Sequence, residues 1–303
     1  MDGANLVNVL STTGERMITS VRINMSASRK KHKIGYFVTK ALMKYIATRS
    51  HYVVALSEGV RQDLIHNFGL AEKKVVTIYN ACDMGRLQSL ALKSHSNENA
   101  LPKLSVATMG RMTAQKGQWH LIRAFSRVLS CEPNAHLYVF GEGELLVLLK
   151  QITVELSIQQ NVHFMGYVEA PHFYIASCNV FVFPSVFEGL GNVLLEAMSC
   201  GVPCISCDCP SGPREILAPG TALRGSFDEI EHAEYGLLVP QCGFGQQNAK
   251  EPLTREEGIL ADAILAVMHN DTLHHEYAKR ALARSAAFSP ERISNEWRRI
   301  IEQ

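Results

Sequence analysis

Along most of the chain, short runs of β-branched and aromatic residues alternate with segments whose apolar residues recur every three or four positions. No other feature restricts the fold as much. The runs RMITSVR, HYVVALS, KVVTIYN, KLSVATMG, AHLYVFG, NVHFMG, NVFVFPS, VPCISC and YGLLVP read as strands. Between them GVRQDLIHNFG, QWHLIRAFSRVLS and GELLVLLKQITVELS carry the spacing of amphipathic helices. Strands joined through crossover helices run parallel, and a parallel sheet buries both of its faces. The expectation is an α/β protein, and 303 residues with 47% apolar content suffice for two domains with separate cores. The boundary falls in the polar stretch LKSHSNENALPK, Leu92 to Lys103, and beyond Thr254 the strands give way to three helices.

Charge is distributed unevenly. Arg16 to Arg49 holds nine Lys or Arg and no Asp or Glu, which leaves 21 basic against 29 acidic residues elsewhere. An anionic partner for residues 16–49 follows from that split. The run SRKKHK precedes IGYFVTKALMKYIA, where Phe37, Ala41, Lys44 and Tyr45 recur at helical spacing. The segment therefore reads either as a helix for an anionic membrane surface or as an ordinary solvated face. Nucleic acid is not expected as a partner, because no binding signature accompanies the charge. No apolar run reaches the roughly 18 residues of a membrane span. Eight cysteines without a secretory leader pattern favour reduced thiols and a cytoplasmic, at most peripherally membrane-bound, protein. Four of them crowd into CGVPCISCDC, but along one strand they would alternate between faces, so small core residues are expected and no metal site.

Three strand-to-helix turns contain glycine, the arrangement that receives anionic ligands at the carboxyl ends of parallel strands. The first, MGRMTAQKGQ, places Gly110, Arg111 and Lys116 directly after a strand. It lacks the glycine before the lysine that a Walker loop needs, yet two cations five residues apart can clamp a diphosphate. The second is FGEGEL. The third, FEGLGNVLLEAMSCG, has Glu188 before a glycine turn and Glu196 after it, with a helix expected to begin near Asn192 as its N-cap. Asn192, Glu196 and Ser199 then share one helix face. If that face lines a cleft, a carboxylate there can accept two hydrogen bonds from vicinal hydroxyls. His163 and His172 read as ordinary surface or core histidines.

These motifs, taken in order, resemble the retaining, nucleotide-sugar-dependent glycosyltransferases of the GT-B fold called family 4. VVALSEGVRQDL, VTIYNACD, GRMTAQKG, FGEGE, FPSVFEGLGNVLLEAMSCGVPCIS and SGPREIL carry the likeness, over about Tyr52 to Gln303. Bacterial enzymes of surface-polysaccharide or lipid-linked oligosaccharide synthesis are the most similar members. The resemblance implies two Rossmann-like domains facing a cleft: 1–95 on the acceptor side, 96–285 binding the nucleotide sugar, and a final helix, 286–303, returning to the first. It implies that Arg111 and Lys116 bind the donor diphosphate, that Glu188 touches the donor sugar and Glu196 the ribose. Gly110, Gly189, Leu190, Gly191 and Asn192 complete the donor side. The expected donor is a UDP-sugar and the acceptor a glycan or lipid diphosphate. No cofactor is expected, since cations take the place of a divalent metal and no Asp-x-Asp triplet occurs. Two departures stand out. The glycine-rich opening loop of the family has no counterpart, so the first domain is expected to be incomplete, and Arg22 stands near where many members carry an acceptor-side histidine. A catalytically incomplete nucleotide-sugar-binding module is the alternative reading.

Overall fold

A computed structural model of the protein describes residues 2–11, 16–28, 33–92, 101–222, 227–245 and 248–302. The first part runs α1 (Asp2–Ser11), β1 (Ile18–Val21), α2 (Met25–Ser28), α3 (Lys33–Arg49), β2 (Tyr52–Ala55), α4 (Glu58–Gln62), β3 (Val75–Thr77) and α5 (Met84–Leu92). The second runs β4 (Ser105–Met109), α6 (Gln118–Cys131), β5 (His136–Phe140), α7 (Leu146–Glu155), β6 (Val162–Gly166), α8 (His172–Ile175), β7 (Val180–Phe183), α9 (Asn192–Ser199) and β8 (Cys204–Cys207). It ends with α10 (Pro213–Leu217), β9 (Glu231–His232), β10 (Leu237–Val239), α11 (Arg255–Met268), α12 (Asp271–Ser285) and α13 (Pro290–Glu302). Most of the boundary stretch, 93–100, lies outside the described residues.

All nine runs read as strands contain one. They form a three-stranded parallel sheet, β1-β2-β3, and a seven-stranded sheet ordered β6-β5-β4-β7-β8-β10-β9. The tenth strand, β9, is antiparallel to β10 and departs from the all-parallel expectation. Two residues are too short to show alternation. Glu231 is fixed there by Arg214, whose guanidinium also takes Asp208 at 2.6 Å.

Strand β7 shows why its sequence is apolar throughout. Val180 and Val182 join the cluster under α6 and α11, whereas Phe181 and Phe183 join the one under α9. Both faces are covered, and each such side chain contributes roughly 1.5–3 kcal/mol. Arg123 of α6 and Glu257 of α11 are fully buried and paired at 2.9 Å, tying those helices together. Burial alone would raise the Glu257 carboxyl, but hydrogen bonds from His120 and Arg123 hold it below the usual carboxylate range.

The small sheet is covered on one face by α3 and α4, where Met43 and Val60 share a core cluster with Val53 and Ala55. Its other face receives α13, whose Ile293 and Ile300 pack with Val54 and Ile78. The two lobes touch directly. The carboxylate of Glu215 on α10 accepts from the amides of Glu58 and Gly59 at 2.6 and 2.8 Å and from the Tyr79 hydroxyl at 3.0 Å. Burial, with Glu215 adjacent, raises the Tyr79 phenol. Asn24 reaches the opposite lobe twice, its amide N–H to Glu188 O at 3.2 Å and its side chain to Ser211 Oγ at 2.9 Å.

Candidate active site

The first two glycine turns lie against each other at the carboxyl ends of β4 and β5. A Cβ on Gly141, whose φ is +119°, would sit 2.2 Å from Gly110 O, so only glycine lets the two loops stack. The Gly110 amide donates to Phe140 O at 3.0 Å, which fixes the loop as it leaves β4. That loop carries Lys116 inward. Its Nζ reaches Glu188 Oε1 at 2.6 Å and lies 5.2 Å from the centre of the Phe183 ring. Glu188 is only 6% exposed, and its second oxygen faces Gln115 Nε2 at 3.4 Å. Arg111, from the same loop, keeps an exposed side chain, and no acidic partner for it occurs among the described residues.

The third turn supplies hydrogen-bond donors. Among the described residues, the N–H groups of Gly189, Leu190 and Gly191 meet no protein acceptor. They lie just ahead of α9 (Asn192–Ser199), whose N-terminal dipole favours negative charge. The cap residue is Gly191, with φ +94°, and not Asn192 as the sequence suggests. A left-handed cap position excludes most side chains and releases the Asn192 amide, whose Oδ1 accepts from Asn80 Nδ2 at 2.9 Å. Asn80 in turn accepts from Arg22 Nη2 at 2.6 Å. A chain of three polar side chains thus spans the crevice from Arg22 to α9.

The lobes also approach closely at Gly189. A Cβ there would lie 2.1 Å from Arg22 O. Arg22, selected from sequence as an acceptor-side residue, therefore abuts the donor-side loop through its backbone. The α9 face bearing Asn192 and Glu196 lines a cavity of about 290 Å³, closed on the other side by Cys82, Asp83 and Arg86. Ser199, on the same face, is buried against Cys82 Sγ at 3.3 Å.

His172, read from sequence as an ordinary surface or core histidine, is buried; its Nε2 lies 3.2 Å from Glu196 Oε2, and its Nδ1 has no partner among the described residues. Nothing local in the sequence pairs it with Glu196. His163, by contrast, stacks on Tyr138 and bonds His136 at 3.0 Å, away from the cavity. Cys204 and Cys207, three residues apart on β8, enter opposite core clusters. Burial pushes the Cys200 thiol up to about 12. Among the described residues no group of three His, Cys, Asp or Glu side chains could hold a metal ion.

Comparison with known proteins identifies the family and the fold. A model of the glycosyl transferases group 1 matches residues 103–242, and a model of glycosyltransferase family 4 matches residues 14–86. An uncharacterised glycosyltransferase of Methanocaldococcus jannaschii is 31% identical over 293 residues, covering 95% of this chain and 72% of the relative. An N-acetylgalactosamine-N,N'-diacetylbacillosaminyl-diphospho-undecaprenol 4-alpha-N-acetylgalactosaminyltransferase of Campylobacter jejuni is 27% identical, covering 93% and 68%. Among solved structures, Anabaena HepE in complex with UDP superposes with a TM-score of 0.81 at 19% identity, covering all of this chain and 77% of that one. The lobes and their crevice are those of the GT-B fold, and the chain belongs to the family 4, group 1 glycosyltransferases.

Proposed function

We propose that the crevice binds the diphosphate of a nucleotide sugar, with UDP as the nucleotide, and transfers the sugar with retention to a lipid-linked or polysaccharide acceptor. The observation that carries this reading is the Lys116 ammonium paired with buried Glu188, next in sequence to three amides before α9 that meet no protein acceptor among the described residues. When the anomeric bond breaks, negative charge grows on the departing diphosphate, and fixed cations and amides stabilise that charge more than the ground state. Arg111 approaches the same diphosphate from the exposed side, beside the Gly110 backbone. Glu188 reads the donor sugar, and Glu196, oriented by His172, reads the ribose hydroxyls. The departing phosphate takes the acceptor proton on the same face, so no protein base and no metal enter the step. HepE crystallised with UDP and the Campylobacter relative named for a diphospho-undecaprenol substrate support the choice of nucleotide and acceptor.

The test is calorimetry with UDP, GDP and ADP, followed by transfer from radiolabelled UDP-sugars to a membrane extract. Heat with UDP alone and label in the lipid fraction are expected. Tight UDP binding with no transfer to any acceptor would leave the incomplete binding module standing instead.

The acceptor reading also gives α3 a role at the cytoplasmic face of a membrane. No described helix is long and apolar enough to cross one. Phe37, Val38 and Tyr45 are 70, 64 and 43% exposed on α3, with Ala41 and Lys44 beside them. Arg29, Lys30 and Lys31 lie outside the described residues. An exposed apolar face among cations inserts shallowly into anionic lipid. The protein should float with phosphatidylglycerol vesicles and not with phosphatidylcholine ones, and Phe37→Ser with Lys44→Glu should release it. Equal flotation with both lipids would refute the electrostatic part.

A further inference from the structure

Between the small sheet and α13 lies a second cavity of about 280 Å³, lined by Ser20, Arg22, Asn80, Ser294, Ile293 and Trp297 among others. It is distinct from the one beside Glu196, yet joined to it through Arg22, Asn80 and Asn192. We propose that this cavity holds the terminal phosphosugar of the acceptor, with α13 supplying an aromatic platform through Trp297. The inference rests on the glycosyltransferase reading and deepens it.

Three properties favour that occupant. Pyranose rings expose apolar C–H faces and a rim of hydroxyls. The half-buried indole and Ile293 suit the faces, while Ser20, Asn80 and Ser294 suit the rim. The volume is close to the lower end of ligand sites, about 300 Å³, which is room for one ring. Arg22 uses one amino group on Asn80, and no carboxylate pairs with it among the described residues, so most of its donors remain for a phosphate.

Position completes the case. The backbone carbonyl of Arg22 abuts Gly189, beside which the donor sugar is proposed to lie. A ring in the cavity can therefore bring a hydroxyl to the anomeric carbon. Its oxygen forms the new bond to that carbon, the bond to the diphosphate oxygen breaks with its electron pair, and the proton passes to the departing phosphate.

The chain has two tryptophans, and Trp119 is fully buried in the other lobe. Emission from Trp297 thus reports the cavity. With UDP present, N-acetylglucosamine-1-phosphate should alter the emission saturably. Inorganic phosphate and free N-acetylglucosamine should do so far more weakly. Trp297→Phe should remove the response, and Arg22→Ala should weaken apparent binding about tenfold, the effect of losing one charge-assisted contact. Both variants should bind UDP in calorimetry as the parent does. UDP binding with no change in Trp297 emission at saturating phosphosugar would overturn the cavity assignment and leave the transferase reading intact. A parent protein that binds no UDP would overturn both.

Discussion

Replacing Lys116 with alanine lowers kcat for sugar transfer by about 10²- to 10³-fold, the usual cost of removing one preorganised group that meets developing charge. The substitution has a second effect. Lys116 Nζ is the cation beside Glu188, and its loss leaves a 94% buried carboxylate with Gln115 as its remaining side-chain donor. An uncompensated charge of this kind destabilises a fold by about 3–5 kcal/mol. Thermal unfolding and single-turnover transfer separate the two effects. Adding Glu188→Gln to Lys116→Ala should restore much of the melting temperature and none of the transfer rate. Recovery of transfer in the double variant would remove Lys116 from the reaction and reduce it to a structural partner of Glu188.

The second large effect belongs to Gly189→Ala. Arg22 O lies 2.1 Å from the position of the added methyl, and Ile23 Cα 3.3 Å, so backbone on the opposite lobe must retreat. That movement also strains the bond from Asn24 N to Glu188 O. A displacement of about 1 Å at a reacting centre costs on the order of 10²-fold in rate, and a loss of that size is expected here. Circular dichroism should be unchanged, because the clash lies between lobes and not within either core. The radius of gyration from solution scattering with UDP bound should exceed that of the parent. A fully active, equally compact variant would show that the lobes need not meet at Gly189.

Much of the architecture was legible because it depends on local pattern. Val180 to Phe183, apolar at each position, announces a strand buried on both faces, and Gln118 to Ser130 announces a helix with one covered stripe. The same holds for the glycine turns, where Lys116, Glu188 and Gly191 occur at spacings that a strand and a helix convert into proximity. What escaped was set by long-range packing. Asn80 meets Asn192 across 112 residues, and Glu215 meets Glu58 across 157. No periodicity encodes such pairs. The contact of His172 with Glu196 was not legible because the partner lies 24 residues on, in α9, and α8 is a four-residue helix with almost no pattern of its own. The Asn192 cap failed for a different reason: asparagine suits that role by composition, but the left-handed backbone one residue earlier had already taken it.

Among the described residues the polypeptide passes between its lobes near Tyr79–Cys82, beyond which α5 packs on α8 and α9 of the second lobe, and again near Ala286–Ser289, and the two passages touch. Cys82 N donates to Phe288 O at 2.8 Å, and the Tyr79 and Phe288 rings meet edge to face with centroids 5.4 Å apart. Two adjoining pivots define one axis, so a relative movement of the lobes is expected to be a rotation about it and not a slide. If the crevice opens, groups pinned at the axle, such as Cys82 against Ser199, are expected to keep their spacing, and contacts away from it, Arg22 against Gly189 among them, to part.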